Sequence, residues 1–452
     1  RLYTPTYFGY FNIYSSFTDP LSSIANLGYH QAILIPKSDK KAITIFYLSL
    51  ISLIIFSLMI SILITIIPIN QTTFFDSQKY GYIITLAPFS ILLQGLNMSF
   101  LGLNQRLESY TEISISRISN PLINKVFVVI AGLVGFASTK SLIIGLLLGL
   151  LSSVIIQGSS SIYFILKYPK KIFTFQKIID VAKDYKKFPL FVMSTDLLYR
   201  LGNSITIFLI AYIFSAEVSG HYGMSVMMAG IPSALIGSAI SEVFYQKTAK
   251  IKIKGDAKTA SENLLLILIK LSMLPFMILS VFSKDLFIVL LGESWTQAGI
   301  ITSILSFQMF ISFVMAPILQ LSKVYDKQEY LLFSQILMLI TSFFSIIIGS
   351  FFGGLKLTFL FFSISNGLVI FFFGLLTLRL IDIRSATVVK IILKNLIKCV
   401  PFLILAILLR SYFLNSNLIL VLISISILIG YFVYLYWIEK DLKALSKSIF
   451  VK

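Results

Sequence analysis

The chain has 452 residues, of which 57% are apolar and 12% are charged, and its formal net charge is +18. Soluble domains carry roughly a quarter charged residues to hydrate their surfaces, so this composition excludes an ordinary water-soluble protein. The positive residues lie in short stretches between apolar runs, which fits contact with anionic lipid and argues against a nucleic-acid partner. One cysteine, Cys399, and two histidines, His30 and His221, predict neither a disulfide framework nor a metal site, and we expect no cofactor.

Apolar windows long enough to cross about 30 Å of hydrocarbon predict thirteen membrane spans. In chain order they cover residues 8–29, 41–68, 80–101, 121–138, 141–167, 191–214, 219–244, 263–291, 296–322, 329–351, 357–380, 391–411 and 416–437. No signal peptide is visible at the start. The pattern predicts an all-α polytopic membrane protein.

Lysine and arginine are unevenly distributed between alternate loops, which predicts the orientation because cytoplasmic loops keep the positive residues. One set of loops, together with the C-terminal tail, holds 28 of the 37, and the opposite set holds six. The larger set includes Arg106, Arg117 and Lys125, which follow the third predicted span. The asymmetry predicts a cytoplasmic C-terminus. Thirteen spans would then leave Arg1 outside, so we expect a further helix upstream of Arg1, giving fourteen spans.

The longest polar connection is the lysine-rich stretch Lys167–Lys187, which predicts a hinge between two bundles. Its apolar residues recur at roughly helical spacing, which fits an amphipathic helix on the inner leaflet as well as it fits a solvated linker. A weak internal repeat matches Tyr3–Pro20, before the hinge, to Phe214–Pro232 after it. Transporters are commonly built from such repeats with the binding site between them.

Enzyme signatures are missing from the sequence. It contains no P-loop, HExxH or GxSxG motif. A membrane polymerase or ligase acting on sugars outside the cell would need a sizeable outer loop to hold its acceptor, and every predicted outer loop is short. We therefore expect a protein that is not an enzyme.

Four of the ionisable residues inside predicted spans are site candidates, because a charge there costs roughly 2.5 to 3.5 kcal/mol even on lenient scales. Asp196 and Arg200 lie four residues apart on one helical face. They form either a self-neutralising pair that eases insertion or the polar face of a water-filled cavity, in which Arg200 attracts a pyrophosphate or a sugar acid. Asp19 lies in an unusually polar span that predicts a cavity lining, and it is also a candidate for a coupling proton or sodium ion. Lys270 either snorkels or contacts the substrate.

Four stretches together resemble known polysaccharide-biosynthesis flippases. They read RLYTPTYFGYFNIY at Arg1–Tyr14, AILIPKSDKKA at Ala32–Ala42, EVFYQKTAK at Glu242–Lys250 and LLGESWTQAGIITSIL at Leu290–Leu305. The resemblance runs to about Arg379, and it is to the O-antigen and capsule unit exporters of the multidrug and oligosaccharidyl-lipid exporter superfamily. Relatives often carry a basic and an acidic residue where this chain reads GYHQ at residues 28–31, so no charge is carried over there.

The resemblance implies two pseudo-symmetric six-helix lobes facing a cationic cavity, an initial helix before Arg1 and an added C-terminal helix pair. In this architecture, residues 1–187 form the N-terminal lobe with its hinge, and residues 188–380 form the C-terminal lobe. Residues 381–452 form the added helix pair with its tail. It also implies a function: flipping undecaprenyl-pyrophosphate-linked oligosaccharide across the bacterial inner membrane, with membrane lipids as further partners. A cation-coupled drug or metabolite antiporter and a peptidoglycan-precursor flippase of the same superfamily remain as alternatives.

Overall fold

A computed structural model describes residues 1–66, 81–166, 175–232, 257–325, 327, 329–413 and 416–438. Every regular element in these ranges is helical. The α-helices are α1 (Pro5–Ala25), α2 (Tyr29–Ala32), α3 (Asp39–Ile66), α4 (Ala87–Arg106), α5 (Tyr110–Leu133), α6 (Thr139–Leu166), α7 (Phe175–Asp184), α8 (Met193–Ile213), α9 (Ala216–Pro232), α10 (Ala257–Leu291), α11 (Thr296–Leu319), α12 (Leu321–Val324), α13 (Glu329–Arg379), α14 (Ser385–Tyr412) and α15 (Asn417–Ile438).

Ten helices in the described ranges are long and apolar enough to cross a membrane. Each of the thirteen predicted spans coincides with helix, although the span at 219–244 is described only as far as Pro232, the end of α9. The prediction of an all-α, multi-pass membrane protein is confirmed. The predicted cytoplasmic tail lies outside the described residues, and its orientation stays a prediction.

Helix α13 contains two of the predicted spans. Its 51 residues would extend about 76 Å at 1.5 Å per residue, more than twice the hydrocarbon thickness. Helical geometry is interrupted at Gly353 and Gly354, and Gly354 adopts a φ of 65°, which favours glycine because it has no side chain to clash. A Cβ added to Gly349 would lie 2.4 Å from the Cα of Thr358, so the two halves fold back against each other.

Helix α5 corrects the sequence prediction for the fourth span. The apolar signal predicted residues 121–138, whereas the helix begins at Tyr110 and ends at Leu133. Arg117 and Lys125, which were assigned to a cytoplasmic loop, therefore lie inside a membrane-spanning helix. The prediction was wrong because polar residues on the first turns of α5 lower the hydropathy of the window.

By its backbone contacts the chain divides into two compact units. The N-terminal unit is Leu2–Gly220, and the C-terminal unit is His221–Lys452 together with Arg1. The division falls within α9. The three-part division that was predicted at residues 187 and 380 stays a prediction.

The two glycines of the predicted repeat lie at a close approach inside the N-terminal unit. A Cβ on Gly9 would come within 1.7 Å of the carbonyl oxygen of Ala216, and one on Gly220 within 1.9 Å of that of Pro5. The Asn12 amide also donates to the carbonyl of Ser219 at 3.0 Å. The start of α1 therefore packs backbone to backbone against the first turn of α9, which only glycine permits.

The predicted hinge is described from residue 175 onward, and residues 167–174 lie outside the described ranges. Helix α7 packs against α3, with Val181 buried in the apolar cluster that the two helices share. Lys41 donates to the Asp184 carboxylate at 2.8 Å. In this part the hinge is therefore an amphipathic helix packed on its own unit, as one of the two predicted alternatives had it. Its contact with the inner leaflet stays a prediction.

The C-terminal unit has one continuous apolar core, which runs through α10, α11, α13, α14 and α15. The added helix pair is held to α10 by polar contacts as well. The guanidinium of Arg410 lies 3.1 Å from the carboxylate of Asp285, which is 7% exposed. The hydroxyl of Tyr431 donates to the carbonyl of Lys270 at 2.8 Å.

Candidate functional site

Three of the four predicted site residues come together in the N-terminal unit, where α1 packs against α8. Asp19 lies on α1, and Asp196 and Arg200 lie on α8. With Gln31 and Gln94 they form what we call the α1–α8 polar cluster. α1, which is not among the ten long apolar helices, thus presents its polar side chains to α8, in agreement with the unusual polarity of the first predicted span.

A tight turn places Gln31 in this cluster. After α1 ends, Gly28 adopts a φ of 70°, a conformation that L side chains rarely adopt, and the backbone there lies against Phe188 in the turn before α8. The turn brings α2 alongside α8. The Gln31 amide then donates to the Asp196 carboxylate at 3.0 Å.

Asp19, like Asp196, lies beside the side-chain amide of a glutamine. The side chain of Gln94, on α4, approaches the Asp19 carboxylate with a donor–acceptor distance of 3.4 Å. Asp19 is half-buried, and its helix supplies further hydroxyls, such as Tyr14, which bonds to Ser90. Each carboxylate therefore accepts from a neutral amide, which contributes no positive charge of its own.

Arg200 is the cation of the α1–α8 polar cluster. Its guanidinium interacts electrostatically with both Asp19 and Asp196. No ion pair or hydrogen bond of this guanidinium is found among the described residues, although the side chain is half-buried. The spacing of four residues therefore does not produce a direct pair with Asp196. A planar guanidinium with five donors is left to bind an anion bidentately.

His30 lies beside this cluster, on α2 and outside the membrane-spanning helices. Burial, and to a smaller extent the positive charge of Arg200, lower the pKa of His30 to about 4. The ring is therefore neutral at physiological pH. Its Nδ1 atom is buried and has no hydrogen-bond partner among the described residues. His30 therefore does not change its charge near neutral pH.

Lys270 belongs to the C-terminal unit. It lies on α10 and is only 3% exposed, so its side chain does not reach the surface of that unit as a snorkelling lysine would. Its role as a substrate contact stays a prediction.

Two cations that the sequence analysis placed in a loop lie within α5. Arg117 and Lys125 are both exposed on the N-terminal unit, and Lys125 lies about 22 Å along the helix axis from Tyr110. Eight residues turn the helix about 80° beyond two full turns, so the two side chains lie on adjacent faces. A helical-wheel comparison, rather than a hydropathy window, could have assigned both cations to the helix.

Taken together, these features define a class of protein. A multi-pass helical protein that keeps half-buried carboxylates and a guanidinium between its membrane helices has the features of a transporter, because such charges are costly in lipid unless they serve an ion or substrate path. The polar groups do not form a nucleophile with an adjacent base.

The sequence model of the family described as polysaccharide biosynthesis protein matches residues 1–300, and the chain belongs to this family. The chain is also similar to the teichuronic acid biosynthesis protein TuaB of Bacillus subtilis strain 168, with 28% identity over 171 residues. That match covers 37% of this chain and 35% of TuaB, so it spans about a third of the relative.

Two solved structures share the fold. The lipid II flippase MurJ, in an inward closed conformation, superposes with a TM-score of 0.69 at 16% identity, covering 96% of this chain and 93% of that one. An inward-facing multidrug resistance MATE family transporter of the MOP superfamily superposes with a TM-score of 0.59 at 15% identity, covering 84% and 92%. The chain is therefore a polysaccharide-biosynthesis protein with the fold of flippase-like transporters of the MOP superfamily.

Proposed function

We propose that this protein flips undecaprenyl-pyrophosphate-linked oligosaccharide units across the bacterial inner membrane, for the synthesis of a surface polysaccharide such as O-antigen or capsule. The observation that carries the proposal is the guanidinium of Arg200, which lies between membrane helices without a hydrogen-bond partner among the described residues. Family membership supports the substrate class, since it ties the chain to polysaccharide synthesis. The name of its relative TuaB points to the same kind of product.

The chemistry of the α1–α8 polar cluster fits the charged part of such a substrate. A pyrophosphate presents several anionic oxygens, which a guanidinium can bind through two parallel hydrogen bonds. Asp19 and Asp196 hold the guanidinium electrostatically, and the amides of Gln31 and Gln94 can turn toward sugar hydroxyls.

Alternating access is the proposed mechanism, with the C-terminus in the cytoplasm and no covalent step. A coupling proton or sodium ion would bind at Asp19, because its carboxylate is half-buried and has a neutral amide as its hydrogen-bond donor. Loading the cation would neutralise one carboxylate and so change how tightly Arg200 is held. Lys270 is proposed as a substrate contact in the C-terminal unit.

Two alternatives have an observation each in their favour. Carboxylates at Asp19 and Asp196 suit a cation-coupled drug or metabolite antiporter, which needs a buried acid as its coupling device. A peptidoglycan-precursor flippase would share the fold of MurJ. Both carry substrates other than an oligosaccharide on undecaprenyl pyrophosphate, so a substrate-resolved assay separates all three.

The test is transport by the purified full chain in proteoliposomes. Fluorescent undecaprenyl-pyrophosphate oligosaccharide, lipid II and a cationic dye are offered in turn, and movement between leaflets is followed by accessibility to a quencher. Wild type should flip the oligosaccharide lipid at least about tenfold faster than the cationic dye, since the dye lacks the pyrophosphate and one lost charge-assisted contact is worth about that factor. Lipid II carries the same pyrophosphate, so faster flipping of lipid II than of the oligosaccharide lipid would favour the peptidoglycan-precursor alternative. Transport of the dye alone would overturn the proposal in favour of an antiporter.

The role of Arg200 is tested with matched substitutions. Arg200→Gln should reduce flipping about tenfold or more, because it removes a charge-assisted bidentate contact. Arg200→Lys should retain part of the rate, since it keeps the charge and loses the fork. Lys356→Gln removes an exposed charge elsewhere and serves as the control. Equal rates for Arg200→Gln and this control would remove Arg200 from the site.

A further inference from the structure

A basic recess opens at one end of the C-terminal unit, where α13 ends and α14 begins. Its volume is about 490 Å³. It is lined by Lys258, Arg379, Asp382, Ile383, Arg384 and Ser385. Three cations and one carboxylate give it a net charge of +2 when all are ionised. It lies at the predicted cytoplasmic side of the membrane.

The cations of this recess have few partners of their own. All three are exposed, and none forms an ion pair among the described residues. Arg379 donates only to the hydroxyl of Ser385, at 3.4 Å. Arg384 is the N-cap of α14 and makes no side-chain capping bond, so the positive end of that helix also points into the recess.

The surroundings of the recess indicate a lipid rather than a free anion. Below Ser385, every fourth residue of α14 is an exposed aliphatic side chain: Val389, Leu393 and Ile397, the last 71% exposed. These residues share one face of the helix, and they continue the line of Ser385 into the membrane. Ile383 is fully buried and anchors the loop to the core of the unit. A phosphate in the recess would therefore have an apolar row directly beneath it.

We propose that the basic recess binds the phosphate headgroup of an anionic phospholipid of the surrounding membrane, with an acyl chain along the row of Val389, Leu393 and Ile397. Lys258, Arg379 and Arg384 supply the charge-assisted contacts to the phosphate. The bound lipid fixes the junction between α13 and the added helix pair. This site is independent of the proposed substrate and of the α1–α8 polar cluster.

The experiment uses the full chain in neutral detergent micelles doped with phosphatidylglycerol, with phosphatidylcholine as the zwitterionic control. Unfolding temperature is followed by tryptophan fluorescence. Phosphatidylglycerol should raise it saturably by several degrees, because a ligand that binds only the folded state stabilises it. Arg379→Gln/Arg384→Gln should raise the half-saturating mole fraction at least about tenfold.

Two comparisons decide between a specific site and general attraction to a positive surface. Lys186→Gln/Lys187→Gln removes the same number of exposed charges beyond α7 and should leave the lipid effect unchanged. Asp382→Asn removes the one carboxylate and should strengthen binding. Asp382 has a φ of 57°, which asparagine tolerates, so this gain remains measurable even if the double arginine variant fails to fold.

Three results would overturn the proposal. The first is an equal loss for the two double variants, which would mean surface attraction only. The second is an equal shift with phosphatidylcholine. The third is the same shift from inorganic phosphate alone, which would make the recess a site for a free anion.

Discussion

The two compact units pack their helices in different ways. In the N-terminal unit the described apolar core is split into separate clusters, and polar side chains bond across from helix to helix. Asn26 of α1, for example, donates to Ser49 of α3 and to Ser99 of α4. In the C-terminal unit a continuous apolar core connects five helices, and its serines bond both to their own helix, as Ser272 does, and to a neighbouring helix, as Ser283 does to the carbonyl of Gly299.

This difference in packing indicates that the two units have different roles. Polar contacts between membrane helices are worth little individually, so a unit that uses many of them gains less from packing but can present polar groups to a substrate. The α1–α8 polar cluster lies in that unit. The C-terminal unit instead confines its strongest polar contact, Arg410 with Asp285, to the place where the added helix pair joins.

The largest effect is expected from breaking that contact in the C-terminal unit. Arg410→Ala would leave the Asp285 carboxylate buried without its cation, at a cost of about 3 to 5 kcal/mol in the free energy of unfolding. Lys327→Ala is the matched control, since its pair with Glu329 is exposed and should change stability by about 0.5 kcal/mol or less. Denaturant titration in detergent measures both.

A double variant tests whether the lost stability comes from the unpaired Asp285 charge or only from the lost packing of the Arg410 side chain. Asp285→Leu/Arg410→Met removes both charges and should recover most of the lost stability, because no buried charge is left unpaired. If the double variant were as unstable as Arg410→Ala, the ion pair would not be what joins α14 to α10.

A moderate effect is expected in the N-terminal unit from Gln157→Leu. The Gln157 amide of α6 donates to Asn97 of α4 at 2.6 Å and to Ser116 of α5 at 3.1 Å. Its loss should lower the free energy of unfolding by about 1 to 2 kcal/mol, whereas Ser272→Ala should cost about 0.5 kcal/mol or less. Equal costs would contradict the contrast between the two units.

The smallest effect concerns pH. Because the pKa of His30 is lowered to about 4 in the folded protein, the unfolded chain takes up a proton first as pH falls below about 6.5. Stability from His30 is therefore present above that pH and is lost as pH falls toward 4. At about pH 5.5 the loss should be about 1 kcal/mol. His30→Gln should flatten the pH dependence by this amount, and an unchanged slope would show that His30 is solvated.

Much of the fold was predictable because membrane spans are long and apolar over their whole length. The two halves of α13 were separated correctly, since the small residues Gly353 and Gly354 interrupt the apolar run. Helix α5 was placed wrongly for the opposite reason: its first turns carry Glu112 and Arg117, and hydropathy cannot tell a polar helix face from a loop.

The candidate site was predictable only in part. A charge inside a span is visible in sequence, which singled out Asp19, Asp196, Arg200 and Lys270, but their neighbours are not. Gln94 was not predicted as a site residue, and Gln31 entered the sequence analysis only as part of a stretch without the charges of its relatives, since uncharged amides are common in loops and at helix ends. They became part of the site only through the turn at Gly28 and the packing of α4.

The sequence by itself determined the membrane class and the chemical character of the first predicted span, because each polar group placed in lipid has its own energetic cost. Only the tertiary structure decided which charges meet. Arg200 lies near Asp19 because α1 packs against α8, and Lys270 is buried on a helix that packs against α11, α14 and α15. Contacts between distant segments depend on how whole helix faces fit together, and the residue pattern of one segment does not determine that fit.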